Sequence, residues 1–478
     1  MKILKTNMLL KKLINNLPEE KKNVKILGLS SNSKKIKKGY IFFAIKGQKF
    51  NGEKYIDEAI KNGASVLVCS KNCNYKNDKI TIFKVSDIRN LLSSISSKFY
   101  SSKVESIIAV TGTNGKTSVT DLFYQLLNIN NIPVATIGTL GVKYKGKVLK
   151  SDLTTPETTS IHQTLERLKK NNVRHVMIEA SSHGLHQKRL NHLNLKGAIF
   201  TNFSQDHLDY HKTMKSYLNS KLLLFKKILS KNKTVISDKS IKEFSILKKI
   251  SKKRNLRLVD INSIKKKLEN VKDLKFNEFQ LKNLSMAIAA AKLCNLKEKK
   301  IFNSLSKIKD VNGRLEFIKA FPNNVKTYVD FAHTPDALIK SLKALKETNV
   351  GKISLVFGCG GDRDYKKRPL MAKIASSNCD KIYVTDDNPR NERPNKIRKE
   401  ILKNIKNTNC HNIGNRKKAI QTAVLNAEPN EIVLVAGKGH EVQQIYKNKI
   451  IKISDKKIIK RLKIKTKNLS KRHNNFNQ

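Results

Sequence analysis

The segment Ser106 to Ser118, SIIAVTGTNGKTS, runs from an apolar stretch through two glycines and a Lys-Thr pair into the helical pattern VTDLFYQLL. Strand, glycine turn, Lys-Thr and helix are the parts of a phosphate-binding loop. Gly112 and Gly115 let the backbone approach an anion and the helix N-terminus turns its N–H groups toward it. Lys116 reaches the outer phosphate oxygens, and Thr117 offers a hydroxyl to Mg²⁺. The loop is a short variant, because Val110 stands five residues before Gly115 where the general pattern has glycine. An ordinary glycine turn is the competing reading, and the flanking strand and helix argue against it.

Downstream, MIEASSHGL puts Glu179 at the end of an apolar run, and TNFSQDHLDYH puts Asp206, His207, Asp209 and His211 after the next. Carboxylate and imidazole at successive strand ends converge on the crevice where α/β proteins bind ligands. A His-Asp cluster alone is more often a surface hydrogen-bond network, since Mg²⁺ prefers oxygen; beside a phosphate loop it reads as a metal site. The last third carries FGCGGDRDYKKRP (Phe357 to Pro369), VTDDNPRNE (Val384 to Glu392) and VAGKGHE (Val435 to Glu441), each following an apolar run. Arg363 and Arg390 with Glu441 suit a zwitterionic ligand that has an extra carboxylate. Taken singly, each could be a salt bridge.

These groups need a scaffold that presents several strand ends together. Apolar runs at Tyr40 to Ile45, Ser65 to Cys69, Ser106 to Val110, His175 to Ile178, Ala198 to Phe200, Lys352 to Phe357, Lys381 to Thr385 and Glu431 to Val435 alternate with amphipathic, Lys-rich stretches. That alternation predicts an α/β chain built on mostly parallel sheets. Boundaries near Lys103 and at Val311 to Arg314 divide the 478 residues into 1–103, 104–312 and 313–478. The stretch from about Lys456 to Gln478 reads as a solvated helix fraying into a polar tail.

Lys and Arg number 97 against 38 Asp and Glu, a formal charge of +59. Basicity of that size suggests a polyanion, but the excess is spread over every segment, Trp is absent, and Lys, Asn and Ile are heavily used, as AT-biased codons would give. A nucleic-acid-binding ATPase would instead need a clustered basic stripe with stacking aromatics, and aromatics are only 6% here. Cys69, Cys73, Cys294, Cys359, Cys379 and Cys410 are too few for a disulfide framework and lack paired metal spacing, so they read as reduced thiols. Lys11 and Lys12 interrupt the apolar start too early for a signal peptide, and no 18-residue apolar run occurs. A cytoplasmic protein with no membrane span and no nucleic-acid partner, monomeric, is expected.

TGTNGKTS, TTPETT (Thr154 to Thr159), EASSHGLHQKR, FTNFSQDHLDYH, GRLE (Gly313 to Glu316), DFAHTPDAL (Asp330 to Leu338), GCGGDRD, DDNPR and AGKGHE occur in this order. Together they resemble the Mur ligases, most nearly the branch that adds the third residue of the peptidoglycan stem peptide, over about Leu29 to Lys456. The resemblance implies a three-domain α/β architecture: an N-terminal domain for the UDP end, a central P-loop ATPase and a C-terminal Rossmann-like domain bringing the amino acid. It implies that Gly112, Thr113, Asn114, Gly115, Lys116, Thr117 and Ser118 bind ATP phosphates. Thr117, Glu179, His207 and Lys221 would hold Mg²⁺, with Lys221 as a carbamate, which turns a cation into an anion beside the metal. Lys116, His207 and Lys221 are the expected catalytic residues. Asn283, Arg314 and Asp330 match adenosine-side contacts. Thr154, Thr155, Ser181, Gln187 and Arg189 match contacts to the muramoyl-dipeptide, and Ser31, Ser33, Gln48, Lys49 and Phe50 those to the UDP end. Arg363, Asp387, Asn388, Pro389, Arg390, Gly437 and Glu441 match the diaminopimelate site.

The chain departs from the family pattern in four places. Asp-Ser-Arg is Asn32-Ser33-Lys34, Asp-Gly is Asn51-Gly52, the GxFN segment is Asn277 to Gln280, and Asp-Tyr-Ala-His is Asp330 to His333. The implied reaction is ATP-dependent amide formation from UDP-N-acetylmuramoyl-L-alanyl-D-glutamate and meso-2,6-diaminopimelate. The D-Glu carboxylate attacks the γ-phosphate and the amine displaces phosphate from the acyl phosphate, while Lys116 and Mg²⁺ neutralise charge. Rival expectations are a lysine-adding Mur ligase, a folylpolyglutamate synthetase and an inactive scaffold; intact Lys116, Glu179, His207 and Lys221 argue against the last.

Overall fold

The computed structural model describes residues 7–463 except 16, 48–49, 79, 102, 273, 275, 349–350 and 407–408. Its strands form three main sheets. The first has four parallel strands, Gly28–Ser30, Tyr40–Phe43, Ala64–Ser70 and Thr81–Val85, in chain order. Asn32 and Asn51, which replace the family's Asp, each cap the short turn that follows by accepting from Lys34 N (3.0 Å) and Glu53 N (3.1 Å). The exchange keeps the capping oxygen and gives up only its charge.

The central sheet orders its strands Lys147–Leu149, Gly141–Tyr144, Val134–Gly138, His175–Glu179, Ser106–Thr111, Leu195–Phe200, Thr234–Ser237 and Arg257–Asp260. The last six are parallel and the first two form an antiparallel extension. Ser106–Thr111 lies in the middle and is buried throughout. Its period of two sends Ile107 and Ala109 into one apolar cluster with Leu165 and Leu168, and Ile108 and Val110 into another with Phe123, Leu127 and Ile288. The chain leaves this strand to one side for Val134 and later reaches the other side at Leu195, so the loop after Thr111 sits at a topological switch point. Helix Lys116–Ile129 packs on helix Glu278–Leu293, whose small residues Ala287, Ala289, Ala290 and Ala291 are buried against the sheet layer. Asn277 and Gln280 close a capping box at the start of that second helix, which accounts for the altered GxFN segment as a helix start. Phe123, with no exposed surface, fills the space between strand and helices. Phe123→Ala is expected to cost about 3–5 kcal/mol of unfolding free energy, read as a lower denaturant midpoint; a loss under about 1 kcal/mol would show that the layer repacks freely.

The third sheet orders Glu316–Ala320, Lys326–Asp330, Ile432–Ala436, Ile353–Phe357, Lys381–Val384 and Cys410–Asn412, five parallel strands with the first antiparallel. Helices cover both faces: Leu355 and Phe357 face helices that include Met371 and Ile397, while Val356 and Val435 face one that includes Ile420. The eight expected strands are all present with ends shifted by a few residues. The largest shift is at Leu195–Phe200, which begins three residues before the apolar run because Gly197 sits at a register irregularity where Leu293 packs. The tail expectation needs correction. Asp455–Arg461 is a packed helix, with Ile459 in the core and Asp455 buried against Arg416, while residues 464–478 lie outside the described part. All six cysteines are free thiols. Among the described residues no helix is long and apolar enough to cross a membrane.

Candidate active site

Gly112 and Gly115 adopt backbone angles that a side chain would resist, φ 144° and 85°. A Cβ at Gly112 would lie 1.8 Å from Thr201 Oγ1, and one at Gly115 2.5 Å from Asn283 Oδ1, so Asn283 packs directly on the loop. No side chain caps helix Lys116–Ile129, which leaves its first-turn N–H groups for an anion. The loop is braced from the next strand: Thr113 N donates to Asn202 O (2.9 Å), Asn114 N to Asn202 Oδ1 (2.9 Å) and Thr201 Oγ1 to Asn114 O (2.6 Å). Ser118 is buried in the first turn.

Two lysines 105 positions apart in sequence meet on one carbonyl. Lys116 Nζ donates to Gly112 O (2.9 Å) and Thr113 O (2.8 Å), and Lys221 Nζ donates to Gly112 O (2.6 Å). Lys221 is buried on helix Met214–Leu223, its ammonium 4.4 Å from the Tyr217 ring centroid. Burial, reinforced by the neighbouring Lys116 charge, pushes Lys221 well below the ordinary lysine value, with Asp206 opposing. Lys116 is likewise pushed down by burial, against Glu179 and Asp206.

Thr117 Oγ1 donates to Glu179 Oε2 (3.0 Å), and Thr139 supplies Glu179 with its N–H (3.0 Å) and its hydroxyl (2.9 Å). Glu179 lies against Gly138, where a Cβ would come within 2.2 Å of Oε1. A hydroxyl and a seated carboxylate are the oxygen donors that Mg²⁺ takes when phosphates and water supply the rest, so the residues fit that ion. His207 is half-buried beside His183, and its Nε2 lies 3.3 Å from Asp206 Oδ2. Burial pushes His207 well below its ordinary value and His183 down to about 4, so both imidazoles are neutral at pH 7.

Thr154, Thr155, Ser181, Gln187 and Arg189 form one connected patch beside Glu179. Thr155 Oγ1 donates to Glu179 O (2.7 Å) and lies 3.0 Å from Ser181 Oγ, Arg189 reaches Thr155 O and Gln187 Oε1 (both 2.7 Å), and Thr139 Oγ1 lies 3.2 Å from Thr154 Oγ1. Ser31, Ser33 and Phe50 stand apart at the C-terminal edge of the first sheet. Ser33 Oγ is engaged by Glu58 (2.7 Å), whereas the Phe50 ring is 71% exposed. Gln48 and Lys49 lie outside the described residues.

The third sheet reaches into the centre. Arg314 Nη2 donates to Thr117 Oγ1 (3.0 Å), and its guanidinium lies 4.5 Å from the Phe331 ring centroid. Asp330 is buried and bonded by Ser341 Oγ; burial pushes its carboxyl up. Asn114 Nδ2 donates to Asp336 (2.7 Å) and Gln205 Nε2 to Asp364 (3.0 Å), while Arg363 lies 3.7 Å from Asp209. Asp206 faces His207, His333 (3.7 Å) and Lys367 (3.8 Å). Burial alone would push its carboxyl up, but His207, the Lys367 ammonium and a hydrogen bond from His333 favour its charged form and hold it well below the carboxylate range.

Asp387, Asn388, Pro389 and Arg390 follow the strand Lys381–Val384. Arg390 has φ 52°, and its Nη1 donates to Gly361 O (2.9 Å) and Asn388 O (3.2 Å). Asp386 is taken by Arg398 and Tyr446, so the salt bridge that Arg390 could have made is not made with Asp386. Glu441 is already engaged: Lys438 Nζ (2.9 Å) and Asn388 Nδ2 (3.0 Å) both donate to its Oε2. Gly437, with φ 109°, lies 2.6 Å (at the position of a Cβ) from Asp387 Oδ2. Sequence reasoning missed Lys438, Thr139, Tyr217 and, from the antiparallel pair Gln443–Ile445 and Ile450–Lys452 with its turn, Gln444 and Tyr446, which hold Asp386. Lys438 had a signal, a lysine between two glycines at a strand end; the others had none.

Three family profiles match the chain: "Mur ligase family, catalytic domain" at residues 25–100, "Mur ligase middle domain" at 110–305 and "Mur ligase, glutamate ligase domain" at 313–439. The UDP-N-acetylmuramoyl-L-alanyl-D-glutamate–2,6-diaminopimelate ligase of Rickettsia bellii is 39% identical over 466 residues, 92% of this chain and 96% of that protein. A solved structure of a ligase of the same name superposes with a TM-score of 0.64 at 26% identity, covering 95% of this chain and 98% of the other. A folylpolyglutamate synthase from Mycobacterium tuberculosis, complexed with ADP and AMPPCP, shares the fold at 15% identity, with a TM-score of 0.60 over 73% of this chain and 92% of its own. With profiles matched across all three sheets and a relative of that identity over nearly its whole length, the chain belongs to the Mur ligase family.

Proposed function

We propose that the chain is an ATP-dependent amide ligase joining meso-diaminopimelate to UDP-N-acetylmuramoyl-L-alanyl-D-glutamate, acting in the cytoplasm as a monomer. The observation that carries this reading is the convergence on Thr117. The phosphate loop, the seated Glu179 and, from the third sheet, Arg314 all meet at its hydroxyl. Nucleotide phosphates at the loop would then lie between the patch Thr154 to Arg189 and the loops carrying Arg363 and Arg390. The relatives' names support the choice of substrates.

Thr117 and Glu179 would hold Mg²⁺, with His207 and a Lys221 carbamate completing its surroundings; the ion supplies charge neutralisation on the phosphates when bound. Lys116 leaves the carbonyls of Gly112 and Thr113 to meet the transferring phosphoryl, and Arg314 and Asp330 would face the adenosine side. The acceptor carboxylate oxygen bonds to γ-phosphorus as the bond to ADP breaks; the amine then bonds to the carbonyl carbon and phosphate leaves. A heavy-oxygen label in the acceptor carboxylate is therefore expected in the released phosphate, and release of unlabelled phosphate contradicts an acyl phosphate.

Diaminopimelate ends in an ammonium and a carboxylate, lysine in an ammonium alone. Arg390, half-buried and bonded only to carbonyls, is pushed down by burial and by Arg363 beside it, and so favours an arriving carboxylate. Arg390→Ala is expected to lose discrimination against lysine by about 10²-fold or more while the KM for ATP stays put. A variant that still discriminates fully makes the arginine structural.

A further inference from the structure

The loops around Arg390 are crowded with ionic groups, and most of the buried ones are paired. Arg416, fully buried, is bidentate to Asp455 (2.9 and 2.8 Å); Arg398 pairs with Asp386; Arg368 pairs with Glu392 (2.8 Å) and Glu400 (2.7 Å); and Arg363 lies 3.7 Å from Asp209. Lys438 has no exposed surface and pairs with Glu441 at 2.9 Å. Among the charged residues of the segments Asp386 to Arg390 and Gly437 to Glu441, that leaves Arg390 and Asp387 with no ion-pair partner, while Asp362 on the neighbouring loop is exposed and bonded by Asn391 Nδ2 (2.6 Å). Asp387 is buried and rests on Gly437, where a Cβ would stand 2.6 Å from Oδ2. One cation and one anion remain open.

Lys438 does more than neutralise. Its Nζ also donates to Asn388 Oδ1 (3.2 Å), and Asn388 Nδ2 donates to the same Glu441 oxygen that Lys438 holds. The three side chains close a ring, and Ile445 N donates to Asn388 Oδ1 (3.0 Å) from outside it. Burial would push the Glu441 carboxyl up, yet Lys438 beside it outweighs that and holds it low, so its charge is kept and cancelled within the ring. Without the ammonium, Glu441 and Asp387 together would outweigh Arg390, and the pocket would favour a bare cation.

We propose that Lys438 is a positioning residue that cancels the charge of Glu441 and so makes the subsite select a ligand end bearing both ammonium and carboxylate over one bearing ammonium alone. The inference rests on the ligase reading above and adds to it the origin of the choice between diaminopimelate and lysine.

The test uses the full chain with ATP, Mg²⁺ and UDP-N-acetylmuramoyl-L-alanyl-D-glutamate, and measures kcat/KM for meso-diaminopimelate and for L-lysine together with the KM for ATP. Lys438→Met is expected to lower the diaminopimelate-to-lysine ratio on the order of 10–100-fold, as one uncompensated charge a few ångströms from the ligand would give, mostly through the KM for diaminopimelate. The double variant Lys438→Met/Glu441→Gln restores electroneutrality and is expected to recover most of the ratio; a residue that merely supports the fold would not be rescued by a second substitution. If Lys438→Met does not fold, Glu441→Gln alone carries the test, because it leaves Lys438 in excess and must raise the ratio. An unchanged ratio in Lys438→Met, a double variant no better than the single, or a ratio that does not rise in Glu441→Gln overturns the inference while the ligase reading stands. A wild-type chain that uses neither amino acid removes the ligase reading, and this inference with it.

Discussion

Lys116→Ala is expected to lower ligation on the order of 10³-fold, as removal of a preorganised charge at a transferring phosphoryl group does, and to melt no lower than the wild type. The second half follows from the geometry. Lys116 Nζ bonds only the carbonyls of Gly112 and Thr113, and no carboxylate lies within salt-bridge distance of it among the described residues. Burial pushes its pKa down from the lysine value, so the folded chain binds this proton less tightly than the unfolded chain does. Stability from such a group rises as pH climbs from the depressed folded value toward the unfolded lysine value near ~10.4, since the unfolded state then holds the extra proton. Wild-type protein is therefore expected to gain stability over that alkaline window through Lys116, and Lys116→Ala to show less of the gain. Melting measured at neutral and alkaline pH, beside single-turnover ligation, decides the matter. Near-normal turnover with unaltered melting would remove the phosphate-loop role, and a large fall in melting temperature would make Lys116 a structural residue.

The second large effect belongs to Lys221. Lys221→Ala is expected to be nearly inactive, by about 10²-fold or more, and added bicarbonate is not expected to help it. A carbamate forms when an uncharged amine bonds to the carbon of carbon dioxide and gives up a proton. A lysine that burial and Lys116 push well below its ordinary pKa supplies that amine more readily than an exposed lysine does. Wild-type enzyme freed of carbon dioxide should lose activity and regain it with bicarbonate, and the variant should not. Activity retained in Lys221→Ala, together with an unmodified wild-type lysine in the mass of the intact protein, would rule out the carbamate.

Much of this was legible from local pattern. The phosphate loop and the strands around it are short-range features: apolar runs, glycines at fixed offsets, and a helix start. The antiparallel strands Gly141–Tyr144 and Lys147–Leu149 were not, because they are short and carry lysines, and the outer one is largely exposed. The strand Lys326–Asp330 mixes polar and apolar residues, and only pairing with Ile432–Ala436 makes it central. The site itself divides in the same way. Glu179 and His207 announce themselves at strand ends, but Arg314 reaching Thr117 across 197 positions, or Lys367 and His333 converging on Asp206, are products of how the second and third sheets meet. No spacing within either segment encodes those contacts. The pairing of Glu441 with Lys438 was open to local reading, three residues apart, and changes what the pocket offers: the carboxylate of Glu441 is already neutralised, and Asp387 beside it has no ion pair among the described residues.

The most direct measurement is a screen of amino acids with purified chain, UDP-N-acetylmuramoyl-L-alanyl-D-glutamate, ATP and Mg²⁺, following phosphate release and the mass of the nucleotide product. Phosphate release and a product heavier by one diaminopimelate residue are expected with meso-diaminopimelate, and at most a trace with lysine or glutamate. Equal or greater use of lysine, or amide formation on a folate substrate in place of the muramoyl one, would contradict the assignment.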